Sequence, residues 1–135
     1  MRLDVCGPSF DIATLAPLTS LQFLNISGGD KTPLDLSGLC SLTRLEADNT
    51  VSGLPTSLVE CDIHMNSDFD FSAQTSLTCL CLRPDGEVRL TLPLQLIQLD
   101  VNTTRGSVQS SNLSELPSVS YYETCDDDLG ITWSW

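Results

Sequence analysis

A short phrase, apolar-x-x-apolar-x-apolar, recurs along this chain and limits its fold more than any other feature. It reads Leu21-Gln-Phe-Leu24-Asn-Ile26, Leu42-Thr-Arg-Leu45-Glu-Ala47, Leu58-Val-Glu-Cys61-Asp-Ile63, Leu77-Thr-Cys-Leu80-Cys-Leu82 and Leu96-Ile-Gln-Leu99-Asp-Val101. A truncated copy, Leu3-Asp-Val5, opens the chain, and a degenerate one, Val119-Ser-Tyr-Tyr122-Glu-Thr124, closes it. Aligned on the middle apolar position, the copies fall at Leu3, Leu24, Leu45, Cys61, Leu80, Leu99 and Tyr122. The steps between them are 21, 21, 16, 19, 19 and 23 residues. A ragged period of this size is that of a stacked supersecondary unit, not of a heptad or a single helix.

Apolar and polar residues alternate within each phrase, which predicts a short strand with one buried face. Climbing one turn and returning in about 20 residues leaves little room for a helix of ~10–12 residues. The other side of each turn should therefore hold turns, extended segments and single 3₁₀ or α turns. Leu15-Ala-Pro-Leu18, Leu36-Ser-Gly-Leu39 and Leu113-Ser-Glu-Leu116 have this character. Pro17, Pro33, Pro55, Pro93 and Pro117 lie between strands, as breakers should. Strands are expected near 2–6, 21–26, 42–47, 58–63, 77–82, 96–101 and 119–124 of one domain spanning 1–135. Residues 125–135 form a C-terminal cap or a truncated end, with Ile131, Trp133 and Trp135 covering the last turn.

The phrase resembles the leucine-rich repeat, Leu-x-x-Leu-x-Leu-x-x-Asn, from Leu3 to Thr124 and in an irregular short form. The resemblance implies an α/β solenoid of the right-handed superhelical kind. It would have about seven short turns, a parallel sheet on the concave face and an irregular or 3₁₀ convex side. At the family's asparagine position only Asn66 fits, so the side-chain ladder between turns should be absent or replaced.

Side chains between the buried positions point outward and form three columns across the strands. The central column reads Asp4, Asn25, Glu46, Asp62, Cys81, Asp100 and Glu123. The column before it reads Arg2, Phe23, Arg44, Glu60, Cys79, Gln98 and Tyr121, and the column after it Cys6, Ser27, Asp48, His64, Arg83, Asn102 and Cys125. Strands about 4.8 Å apart make the central acids near neighbours, an arrangement that sheet stability alone would not select. The candidate partner-binding residues are accordingly Phe23, Arg44, Glu46, Asp62, His64, Arg83, Asp100, Tyr121 and Glu123. Arg44 and Arg83 flank the acids, and Phe23 and Tyr121 are candidate aromatic anchors.

Eighteen acids against six Lys and Arg give a net charge of −12. Such a chain repels phosphate backbones and anionic lipid, so nucleic acid and membrane are poor partners and a basic protein or peptide is a better one. No apolar leader precedes Leu3-Asp4-Val5, and Cys61 takes a leucine position as a buried thiol does. Both observations favour a cytoplasmic protein with reduced cysteines. Three Asn-x-Ser/Thr sequons, at Asn25, Asn102 and Asn112, keep a cell-surface or secreted fragment open.

Chemistry has little footing. Cys79 and Cys81 project two residues apart on one strand, ~6.6–6.8 Å, too far for a disulfide. Neighbouring Asp62 and Asp100 should raise the Cys81 pKa, and one histidine does not complete a zinc set. The turn acids Asp30, Asp48, Asp68, Asp70, Asp85 and Asp126–Asp128 lack a calcium loop. No nucleophile, phosphate-loop or metalloprotease motif is present, so no cofactor and no catalysis are expected. The leading expectation is a non-enzymatic protein-interaction module that binds on its concave face. The alternatives are a piece of a surface adhesin or receptor, and an architectural segment with end-to-end contacts to further repeats or another domain.

Overall fold

The computed structural model describes residues 1–7, 11–28, 32–103, 105–116 and 119–124, of which 121–124 are described as backbone. Each recurring phrase becomes a strand. These are β1 (Arg2–Cys6), β2 (Phe23–Ser27), β4 (Arg44–Ala47), β6 (Glu60–Met65), β8 (Cys79–Pro84), β10 (Gln98–Asn102) and β12 (Ser120–Thr124). They join in that order into one seven-stranded parallel sheet, so the chain is a parallel-strand β-solenoid. Leu3, Leu24, Leu45, Cys61, Leu80 and Leu99 stand in register, as the alignment of phrases requires.

The last repeat departs from that alignment. Leu99 pairs with Tyr121, not Tyr122, so the final step is 22 residues. This puts Tyr122 level with Asp100 and Glu123 level with Val101. The backbone register thus differs by one residue from the alignment of phrases. Ser120 joins Gln98's column and Thr124 joins Asn102's, the place given to Cys125. Two adjacent tyrosines make the phrase ambiguous by one residue, and the aligned phrase takes the other of the two.

The far side of each turn consists of extended segments, turns and short 3₁₀ turns, as the sequence reading expected, and what changes is the α/β class. The described residues hold no α-helix and only two 3₁₀ turns, Ile12–Thr14 and Leu113–Glu115, so the structure is all-β where α/β was expected. Short strands run there instead: β3 (Leu34–Asp35), β5 (Val51–Gly53), β7 (Phe69–Asp70), β9 (Gly86–Thr91) and β11 (Gly106–Ser110). They stack as two parallel ladders, β3–β5 and β7–β9–β11. Each of the five turns from β2 to β12 is thus a main strand, a corner, a short strand and a return arc, and the turn from β1 to β2 carries the 3₁₀ turn Ile12–Thr14 instead. The corner before β9 needs Gly86 at φ +90°, and Gly106 stacks on it so closely that a Cβ would collide with the Gly86 backbone.

The return arcs share one device. A backbone N–H at the head of each phrase bonds the carbonyl three residues earlier: Leu21 to Leu18 (3.0 Å), Leu42 to Leu39 (2.9 Å), Leu77 to Gln74 (3.1 Å) and Leu96 to Pro93 (3.1 Å). These tight turns aim the first leucine of each phrase inward, where Leu21, Leu42, Leu58, Leu77 and Leu96 are buried. The core is a stripe between the two walls. Three rows from the main sheet meet Leu34, Leu36, Val51, Phe71, Val88, Leu90 and Val108 from the other wall. Each buried leucine contributes about 1.5–3 kcal/mol relative to exposure.

Polar side chains bond successive turns where the asparagine ladder is missing. The Ser57 hydroxyl donates to the Leu42 carbonyl at 2.7 Å, and the Gln95 amide to the Gln74 carbonyl at 2.7 Å. Asn112 replaces a strand neighbour: its Oδ1 accepts from the Leu92 N–H at 2.9 Å and its Nδ2 donates to the Leu92 carbonyl at 2.8 Å. Asn66, the one match to the family's asparagine, is exposed.

The proposed cap residues Ile131, Trp133 and Trp135 lie outside the described residues. So do Cys125, Asp30, Asp126, Asp127 and Asp128, and the side chains of Tyr121 and Glu123.

Candidate binding face

Alternation along each main strand sends Leu24 and Ile26 into the core and leaves Phe23, Asn25 and Ser27 on the outer face. The same rule carries Arg44 and Glu46, Glu60, Asp62 and His64, Cys79, Cys81 and Arg83, and Gln98, Asp100 and Asn102 to that face. The expected columns are therefore real from β1 to β10.

The acids of the central column are individually partnered. Arg2 bonds Asp4 on its own strand, Nε to Oδ2 at 3.0 Å, and this bond holds the Asp4 carboxyl below its usual range. Arg44 bonds Glu46 at 2.8 Å and reaches Glu60 on the next strand at 3.4 Å. Arg83 spans three strands. From β8 it bonds Asp62 on β6 at 3.0 Å, and beyond it Asp48 at 2.7 Å and the Ala47 carbonyl at 3.2 Å. Asp100 accepts instead from the neutral Gln98 amide at 2.8 Å.

Phe23 sits between two cations. The Arg2 guanidinium lies 4.2 Å from its ring centroid and that of Arg44 lies 5.4 Å away. Each arginine thus contacts a carboxylate and the ring face, which links the three side chains across β1, β2 and β4. Sequence reading placed Arg44 beside the acids but did not foresee this stack, although Arg2, Phe23 and Arg44 share one column.

His64 stands in register with Arg83. Partial burial and the Arg83 charge push its pKa down, which favours the neutral imidazole. Cys61, Cys79 and Cys81 are free thiols. Burial first, then Asp62 and Asp100, raise the Cys81 pKa to about 11, and burial with Asp100 and Glu60 raises that of Cys79. The direction agrees with the sequence reading, but burial outweighs the carboxylates. These thiols are poor nucleophiles at neutral pH.

Among the described residues no group of three or more His, Cys, Asp or Glu side chains is placed to hold a metal ion. No helix among them is long and apolar enough to cross a membrane. Of the sequons, Asn112 has both ends of its amide engaged by Leu92, and Asn25 stands within the sheet's central column. The search against family models, curated proteins and solved structures found no match to this chain.

Proposed function

We propose that this chain is a non-enzymatic protein-interaction module, of leucine-rich-repeat type, whose site is the outer face of the seven-stranded sheet. The observation that carries this reading is the Arg2–Phe23–Arg44 stack with its bonded acids: a rigid aromatic flanked by charges, standing on strands. Interface anchors are enriched in aromatics and arginine, and groups fixed before binding lose little entropy on binding. The partner is a protein or peptide, with a basic one favoured, because three arginines on the face meet six carboxylates (Asp4, Glu46, Asp48, Glu60, Asp62 and Asp100) in a chain of net charge −12.

The ion pairs sharpen the mechanism. Glu46 and Asp62 are each matched by an arginine, so they position more than they attract. Asp100, bonded to a neutral amide, keeps its charge for steering. Association rates should be measured against ionic strength for a captured partner, using the wild type and the triple variant Glu46→Gln, Asp62→Asn, Asp100→Asn. Slower association with a flatter salt dependence is expected, most of it reproduced by Asp100→Asn alone. Unchanged kinetics in the triple variant would remove the acids from the mechanism.

A further inference from the structure

The second wall carries a groove distinct from the binding face proposed above. It lies on the outer side of β7, β9 and β11, the one stretch of that wall where three strands run in register. Leu90 is buried, so alternation turns Arg89 and Thr91 outward. Gln109 is level with Arg89, and Asp70 is level with Thr91. Asp68 and the half-buried Phe69 also line the groove, which measures about 480 Å³. Small-molecule sites occupy ~300–1,000 Å³. Its polar groups are anchored. The Asp68 Oδ1 accepts the Arg89 N–H at 2.8 Å, and the Asp70 Oδ1 accepts the Ser72 N–H at 2.8 Å. The Gln109 Nε2 donates to Glu87 at 2.8 Å. Arg89 is the exception. Arg2, Arg44 and Arg83 of the main sheet are ion-paired, whereas among the described residues Arg89 makes no ion pair, although two carboxylates share its groove.

We propose that this groove binds a neutral saccharide. The chemistry of its lining selects that ligand. Asp68 and Asp70 only accept hydrogen bonds, the Arg89 guanidinium only donates, and the Thr91 hydroxyl does both. A sugar hydroxyl also donates and accepts, so one kind of ligand group satisfies every member of the set. Phe69 adds carbon on which the C–H face of a sugar ring can pack. Other classes fit less well. Two carboxylates, in a chain of net charge −12, repel an anion. The guanidinium between β7 and β11 repels a cation. An apolar ligand would cover charges without pairing them, which is costly. A zwitterion such as an amino acid would match Asp70 and Arg89 but would leave Thr91 and Gln109 without a role. The anchored carboxylates hold their geometry before the ligand arrives, which lowers the entropy lost on binding.

The test is titration of the full chain, followed by heteronuclear NMR of its backbone amides, with maltose, cellobiose, lactose and diacetylchitobiose as separate probes. At least one of these disaccharides should give saturable shifts centred on Phe69–Asp70, Arg89–Thr91 and Gln109. Arg89→Gln and Asp70→Asn should each weaken that binding by roughly tenfold or more, since each removes the charge from a hydrogen bond to the ligand. Both side chains are exposed, and an asparagine at 70 can still accept the Ser72 N–H, so the fold should survive. The spectrum of each variant checks this, and Glu115→Gln, outside the groove, should bind like the wild type. No saturable shift with any of the disaccharides overturns the proposal. So do shifts centred elsewhere, and so does binding that both groove variants leave unchanged. Glycine titrated in the same way is the competing probe: saturation by glycine and not by a disaccharide would replace the saccharide with a zwitterion. None of these readouts depends on a partner of the main sheet, so either surface can fail without the other.

Discussion

The two walls of this solenoid are held together by different means. On the main wall seven strands keep one register, the buried row is nearly all leucine, and the outward charges pair among themselves. On the other wall the strands are short and fall into two separate ladders, β3–β5 and β7–β9–β11. Polar side chains there do part of the work of strands, as Asn112 does for Leu92. The shortest repeat, the step of 16, contains β5, the last strand of the first ladder. A repeat can lose residues from the second wall while the first keeps its phase, so the main sheet sets the period and the other wall absorbs the raggedness. The regular wall is where side chains stand in fixed columns, and a binding face needs that regularity.

The sharpest way to break this comparison is to remove a leucine from the regular row. Leu80→Ala, at a fully buried position in β8, should cost about 2–5 kcal/mol in urea unfolding. Leu94→Ala, 57% exposed on a return arc, should stay within about 0.5 kcal/mol. Equal losses would mean that the rows do not carry the fold. Next is the corner. Gly106→Ala drives a Cβ into the Gly86 backbone and should cost about 1–3 kcal/mol, whereas Gly38→Ala meets nothing within 4 Å and should be near neutral. Then comes the substitute ladder. Asn112→Ala strands the N–H and C=O of Leu92 and should cost about 1–2 kcal/mol, and Asn66→Ala almost nothing. The reverse order would give Asn66 the ladder role that the sequence resemblance implies.

The smallest effects are those of titration on the outer face. The His64 pKa is lowered, so the folded state favours the neutral ring. That contribution is complete above about pH 6.5, the ordinary histidine value, and fades as pH falls through the depressed one. The Cys81 pKa is raised to about 11, so its contribution holds below the ordinary thiol value and is lost as pH climbs toward 11. Alkylation at pH 8 followed by mass spectrometry should label exposed Cys40 first, Cys81 slowly, and buried Cys61 only on unfolding. Early labelling of Cys61 would contradict its place in the buried row.

The main wall was legible in the sequence because its signal repeats: the same alternation at Leu24, Leu45, Leu80 and Leu99 names the inward and outward residues together. It failed at β12, where Tyr121 and Tyr122 are equivalent by pattern and only backbone pairing distinguishes them. The second wall does not repeat. Its inward residues, among them Val51, Val88 and Val108, occur at no constant offset from the phrase, and the alternation Val88-Arg-Leu90-Thr-Leu92, which lies outside the phrases, was missed as the signal of β9. The columns of the outer face could be read, and with them the matching of Arg44 and Arg83 to Glu46 and Asp62, but Asp100, expected to share those arginines, bonds Gln98 instead. Arginine is long enough to choose among several acids, so the reach of Arg83 to Asp48 depends on distances that spacing does not encode.

The outer face of the main sheet is the proposed binding surface, and partner capture with three baits tests that most directly. The baits are the wild type, the face variant Glu46→Gln, Asp62→Asn, Asp100→Asn, and a variant with the same charge change elsewhere, Asp85→Asn, Glu87→Gln, Glu115→Gln. A partner retained by the wild type and the second variant but lost from the face variant is the predicted result. A partner retained by the face variant and lost from the other would place binding away from the sheet and contradict the account.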